Sequence, residues 1–236
     1  MLSNTISKTA KAALDLVFPA RCVNCRAEGA LLCVSCLDDA VRLDGPACRK
    51  CAAPMKSTSL CERCAASPRP AGVDRLIAAY QYDGAIREAI HALKYEGLRA
   101  VAPDLGGLMA EVPALHRMEV DVVVPVPVHP SRLRSRGYNQ SEMLAKEVSC
   151  RLSLPLDARA ARRIRNSPPQ ARTPDEHQRA RQVEGAFEGV PDRMSGRRVL
   201  LVDDVATTCS TLNACAGALK AAGAVWVAAI VLAREV

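Results

Sequence analysis

The sequence predicts an α/β protein with a largely parallel sheet, preceded by a small cysteine-rich module. From Asp74 onward, apolar runs alternate with stretches of helical periodicity, the pattern of crossover units on a parallel sheet. Ahead of that, four CxxC pairs crowd into positions 22 to 64. The length of 236 residues accommodates one sizeable core and a lesser unit beside it. A hydrophobic fraction of 49% without any bilayer-length apolar run excludes membrane insertion as an expectation.

Taken in order, residues 1–20 place Ile6, Ala10, Ala13, Leu14, Val17 and Phe18 at helical spacing, interrupted by Lys8, Lys11 and Asp15. This pattern predicts an amphipathic helix ending at Pro19 and lacks the continuous apolar core of an export signal. The expected compartment is therefore the reducing cytoplasm, where eleven cysteines point to metal binding and not to a disulfide framework. Residues 21–66 form a doubled unit, and AASPRPAG at 65–72 breaks periodicity as a linker would.

The second unit, 73–236, opens with a strand at RLIAAYQY, followed by helices at 83–95 and 99–111 and a β-rich run at VDVVVPVPV. A helix is expected at 138–152, where Met143, Leu144, Glu147, Val148 and Arg151 recur at helical spacing. Residues 166–182 read as a polar loop with one helical turn. The end reads as strand RRVLLVDDV, turn ATTCST, helix LNACAGALKAAG and strand AVWVAAIVLA.

Tetrahedral zinc takes four thiolate or imidazole ligands, and each CxxC knuckle supplies two, so eight cysteines make two complete sites. Sequential pairing, with Cys22, Cys25, Cys33 and Cys36 on one ion and Cys48, Cys51, Cys61 and Cys64 on the other, closes the shorter loops and is favoured, with interleaved pairing open. A shell of four thiolates has no vacant position, so both ions are assigned a structural role. Cys150 and Cys215 fall in helical stretches and are expected to be buried small hydrophobes.

VLLVDDVATTCST joins an apolar strand, two adjacent carboxylates at its carboxyl end and a hydroxyl-rich turn opening a helix. Turn amides and the positive helix end at Ala206 to Thr211 can surround a phosphate, with Thr207, Thr208, Ser210 and Thr211 adding hydroxyls. Asp203 and Asp204 stand where open α/β sheets bind ligands and can accept from vicinal ribose hydroxyls. An acidic pair at a strand end also serves as a Mg²⁺ site in unrelated folds, but that reading leaves the TTCST turn unexplained.

The motif resembles the phosphoribosyl pyrophosphate (PRPP) signature of type I phosphoribosyltransferases, in which the acidic pair holds the ribose and the following loop its 5′-phosphate. That family usually has glycine where this chain has Cys209, a side chain expected to narrow the pocket or strain the turn. Upstream, VVVPVPVHPSRLRSRGYNQSEMLAKEV resembles the family's pyrophosphate loop and flexible lid. The resemblance implies that backbone near Val128 and His129, with Arg132, Arg134 and Arg136 on a mobile segment before a helix opening at Tyr138, engages the leaving pyrophosphate.

Over nearly its whole length the chain resembles the ComF family, also called competence protein F or ComFC-like proteins. The likeness rests on RCVNC, YDGAIREAIHALKYEG, VPVPVHPSRLRSRGYNQSEMLA, RRIRNSPPQARTPDEHQRARQVEGAF and VDDVATTCST, with Gln182 standing where asparagine is expected. It implies a zinc ribbon joined to a type I phosphoribosyltransferase-like fold, PRPP with Mg²⁺ as ligand, and a role in handling transforming DNA. Between Arg132 and Arg181, twelve Lys/Arg stand against five Asp/Glu, which suits a polyanionic partner or a solvated face. Two function classes therefore remain: a phosphoribosyltransferase acting on PRPP, or a non-catalytic module that senses PRPP, binds single-stranded DNA or docks a partner such as a DNA-uptake helicase. With aromatic residues at 3%, extensive base stacking is not expected.

Overall fold

The computed structural model describes residues 19–57, 59–66, 72–166 and 185–235. The helix expected over 1–20 lies almost wholly outside them, as do the centre of the expected linker, 67–71, and all but the first residue of the loop expected over 166–182, with Gln182.

Each half of the cysteine module folds as the same knuckle. The backbone N–H of Cys22 donates to Ala27 and that of Arg26 to Cys22, and the same two bonds recur as Cys48 to Ala53 and Ala52 to Cys48. Arg26 and Ala52, the matching positions, both take positive φ, at 65° and 55°. A short helix follows the third cysteine of each half, α1 (Val34–Asp38) and α2 (Glu62–Ala66). The doubling read from spacing is thus a doubling of backbone geometry.

The remainder is built on four parallel strands in the order β1-β6-β5-β2, comprising β1 (Arg75–Gln81), β2 (Val122–Pro125), β5 (Arg198–Ala206) and β6 (Trp226–Arg234). The two longest strands are almost continuously buried, because helices or ribbon cover both faces. One face packs α3 (Gly84–Tyr95), α4 (Ala102–Ala110) and α6 (Gln140–Leu152) through Ile86, Ile90, Leu105 and Leu144. The other packs α8 (Ser210–Ala221) together with Cys48, Cys51 and Ala52 of the second knuckle. The first knuckle sits against α3 through Cys22, Cys36 and Ala85. The ribbons therefore contribute to the core.

They also cover the margin of the sheet. Leu43 donates to Ala79, Gln81 to Val41 and Leu76 to Arg49, so the stretch joining the two knuckles, with Arg49 of the second, occupies the outer edge of β1.

Several boundaries differ from expectation. Residues 99–111 divide into a 3-10 turn (Arg99–Val101) and α4, with Pro103 in the first turn of α4, where a missing N–H costs nothing. The arginines placed on a mobile segment form a helix, α5 (Pro130–Arg136), capped by His129 and ended by Gly137 at φ 81°. Tyr138 does not open the next helix: Asn139 caps it and α6 starts at Gln140, while the buried Tyr138 hydroxyl donates to the Leu93 carbonyl. An antiparallel pair, β3 (Ala161–Arg163) with β4 (Phe187–Gly189), and the short α7 (Pro191–Met194) were not anticipated. Cys215 is buried as expected, but Cys150 lies exposed on α6.

Candidate phosphoribosyl site and zinc centres

The eight CxxC cysteines gather into two clusters in sequential pairing, with the sulfurs of each cluster within 4.8 Å of one another. Two thiolates on a tetrahedral zinc at about 2.3 Å lie about 3.8 Å apart. The contacts Cys25 Sγ to Cys33 Sγ at 3.5 Å and Cys51 Sγ to Cys61 Sγ at 3.7 Å match that spacing. Amides turn inward as thiolates require: Cys33 N–H points at Cys22 Sγ (3.5 Å), Cys61 N–H at Cys48 Sγ (3.4 Å) and the Asn24 amide at Cys36 Sγ (3.3 Å). Against the cost of burial, such N–H groups draw the Cys22 and Cys48 thiols down to about 6. Both clusters are structural zinc sites.

The acidic pair lies at the carboxyl end of β5. Asp203 and Asp204 are buried, at 8% and 3% exposure, so each carboxylate needs a partner. Asp203 Oδ1 accepts from Ser141 Oγ at 2.7 Å and from the Asp204 backbone N–H at 3.0 Å. Burial first, then the neighbouring Asp204 charge, push Asp203 up to about 7, against the pull of Ser141 and Lys94. Asp204 Oδ1 is 2.7 Å from Lys94 Nζ, whereas its Oδ2 is buried with no partner among the described residues. Burial alone would lower the Lys94 pKa, but the ion pair outweighs it and the net shift is upward.

The turn that follows exposes Thr207 and is otherwise largely buried. Ala206 is buried, Thr207 is exposed, and Thr208 Oγ1 lies 3.0 Å from Ser210 Oγ, with Thr211 in the first turn of α8. Cys209 takes φ 61°, so this position does require the left-handed backbone that glycine adopts freely. Its side chain is buried in the core with Cys48 and Cys51, away from the exposed Thr207. Burial pushes its thiol up, the opposite of an activated nucleophile. Behind the turn, the buried Arg234 donates from Nη1 to the Thr207 carbonyl at 3.4 Å and lies 3.8 Å from Cys209 Sγ.

The other candidates are spread around this centre. Val128 and His129 are half-buried, and the His129 ring acts as helix cap, its Nδ1 accepting from Ser131 N–H at 3.2 Å. Arg132 faces Arg163 of β3, whose pKa is held low first by burial and then by that like charge, while Asp203 pulls the other way. Arg136 turns to Gln140 and to the ring of Tyr95, and Arg134 is exposed. The structure thus brings Asp203, Asp204 and the 206–211 turn together, with Arg132 alongside through Arg163.

Lys94, Ser141, Arg163 and Arg234 escaped the sequence reading. For Lys94 a signal existed: Ile86, Ile90, Leu93 and Lys94 fall at i, i+4, i+7 and i+8 on one stripe, and a cation on a buried stripe requires an anion.

Residues 13–65 match the double zinc ribbon domain family, and residues 138–235 match the phosphoribosyl transferase domain family. The DNA utilization protein YhgH of Escherichia coli K12 is 31% identical over 223 residues, covering 89% of this chain and 94% of that protein. This chain belongs to the ComF family. Competence protein F of Haemophilus influenzae is 32% identical over 111 residues, a match spanning 46% of this ComF chain and 48% of that protein. A glutamine PRPP amidotransferase from B. subtilis aligns with 56% of this chain and 26% of its own, at 18% identity and a TM-score of 0.35. No helix among the described residues of this ComF protein is long and apolar enough to cross a membrane.

Proposed function

We propose that this ComF protein binds PRPP with Mg²⁺ at the end of β5 and transfers the ribose phosphate to an acceptor nitrogen. The observation that carries this reading is the buried Asp203–Asp204 pair, held by Ser141 and Lys94, immediately before a hydroxyl-rich turn at a helix start. The 206–211 turn would take the 5′-phosphate on its amides and hydroxyls. Asp203 would accept from the ribose hydroxyls, and the unpartnered Oδ2 of Asp204 is suited to a hydroxyl or to Mg²⁺. Mg²⁺ would supply charge neutralisation on the pyrophosphate.

In the transfer, the C1′–O bond to pyrophosphate breaks and its electron pair leaves with pyrophosphate. The acceptor nitrogen's lone pair forms the C1′–N bond, and its proton passes to solvent. The two carboxylates would steady positive charge at C1′, and Arg163, within electrostatic range of Asp203 and of Arg132, would with Arg132 meet the departing anion. Calorimetric titration with PRPP·Mg²⁺ tests the site: affinity should fall at least tenfold in Asp203→Asn and in Asp204→Asn, and unchanged binding in both removes the ribose contact. Pyrophosphate release measured over a panel of bases tests turnover.

A second reading, nucleic-acid binding without chemistry, is favoured by the guanidinium-rich α5 and by the name of the full-length relative, a DNA utilization protein. It requires single-strand affinity that falls steeply with added salt.

A further inference from the structure

Beside the acidic site, next to Lys94, stands an aromatic ring that the core does not bury. Tyr80, Tyr138 and Phe187 are buried, and Tyr82 and Trp226 are half-buried. Among the described residues Tyr95 alone of the Phe, Tyr and Trp side chains is exposed, at 70%. A ring this exposed cannot have both faces covered.

Its position is set from two directions. Tyr95 ends α3 next to Lys94, whose Nζ lies 2.7 Å from Asp204 Oδ1. The Arg136 guanidinium stands 5.6 Å from the Tyr95 ring centroid and donates to Gln140, and the next residue, Ser141, donates to Asp203. Two short chains of contact therefore tie the ring to both carboxylates. Tyr82 is within electrostatic range of Lys94, Tyr95 and Asp204 alike. The His91 ring packs beside Tyr95 with centroids 4.9 Å apart and planes at 45°, and its Nδ1 lies 3.2 Å from Glu96 Oε1.

An aromatic face held by a cation and a second ring, and left open to water, is preorganised to stack on a planar ligand. We propose that Tyr95, backed by Arg136 and His91, is a stacking platform for a nucleobase beside the acidic site. This rests on the reading of that site as phosphoribosyl-binding, and it gives that reading the chemical class of its acceptor: a planar nitrogen heterocycle. The base arrives free or as a unit of a single strand, whose phosphates would meet the arginines of α5.

The test uses the whole 236-residue chain, zinc-loaded. Fluorescence anisotropy compares a labelled oligothymidylate with an abasic strand of equal length, on the natural protein, Tyr95→Phe and Tyr95→Ala. Tyr95→Ala should weaken the base-bearing strand about tenfold, shift the abasic strand less than about twofold, and leave Tyr95→Phe near the natural value. Saturation-transfer NMR with adenine and thymine covers the free-base source, and its signal should vanish in Tyr95→Ala. Tyr95-dependent binding of the strand alone assigns the platform to nucleic acid, and of the free base alone to a small acceptor. The proposal is overturned if neither ligand shows base-dependent binding, if Tyr95→Ala binds both as the natural chain does, or if the abasic strand is lost equally. PRPP·Mg²⁺ titration of the same samples keeps the outcomes separate, because absence of PRPP binding would remove the transferase reading and leave the stacking result legible.

Discussion

Replacing Lys94 by methionine should unfold this protein far more easily than replacing Lys94 and Asp204 together. The Lys94 and Asp204 side chains are 19% and 4% exposed with 2.7 Å between Nζ and Oδ1, so the pair is largely withdrawn from water. Lys94→Met would leave a buried carboxylate with neither oxygen partnered by a side chain among the described residues, since Oδ2 has none there already. Removing one member of a buried pair costs about 3–5 kcal/mol, because the remaining charge is desolvated without compensation. The double substitution Lys94→Met with Asp204→Asn removes that charge and should lie within about 1–2 kcal/mol of the natural chain. Trp226, the sole tryptophan, lies at the start of β6, away from the pair, and its emission in a denaturant titration reports the sheet. A cost for Lys94→Met below about 1 kcal/mol, or a double variant as weak as the single one, would refute the claim that a buried carboxylate depends on this lysine.

Three more outcomes are expected. Asp203, raised from 3.8 to about 7, binds its proton more tightly folded than unfolded, so its contribution to stability is complete below about pH 4 and is lost as pH rises through 7. Denaturation midpoints measured across that window should fall with pH in the natural chain and flatten in Asp203→Asn. A Cβ at Gly189 would stand 2.5 Å from the Ala218 carbonyl oxygen and 2.8 Å from Ala222 Cβ, so Gly189→Ala should cost about 1–3 kcal/mol in the same titration by forcing β4 off α8. Native alkylation read by mass spectrometry should modify Cys150 first of the three cysteines outside the zinc sites, because Cys209 and Cys215 are buried and burial pushes both thiols up.

What the sequence made legible was local. A CxxC knuckle is closed by bonds between residues four or five apart, so spacing located the eight ligands and favoured sequential pairing, while the choice over interleaved pairing came from the fold. The strand, acidic pair and turn of residues 198–211 are contiguous, and they too could be read directly. Contacts across the chain could not: Lys94 meets Asp204, and Ser141 meets Asp203, only because α3 and α6 converge on the end of β5. β3 and β4 have three residues each, too few to show a period of two, and their pairing spans the 167–184 stretch. The helix carrying the three arginines has local signals, Pro130 in its first turn and Gly137 at its end, which distinguish it from the flexible lid that the family resemblance implies.

The ribbon's hold on the outer strand ties metal supply to solubility. Val41 and Leu43, between the knuckles, and Arg49, within the second, shield the β1 backbone only while the knuckles keep their shape. A molecule stripped by a chelator would uncover a row of free amides and carbonyls beside Leu76 and Ile77, a template for self-association. Zinc starvation should thus announce itself as concentration-dependent clumping, with light scattering rising before Trp226 emission reports unfolding of the sheet.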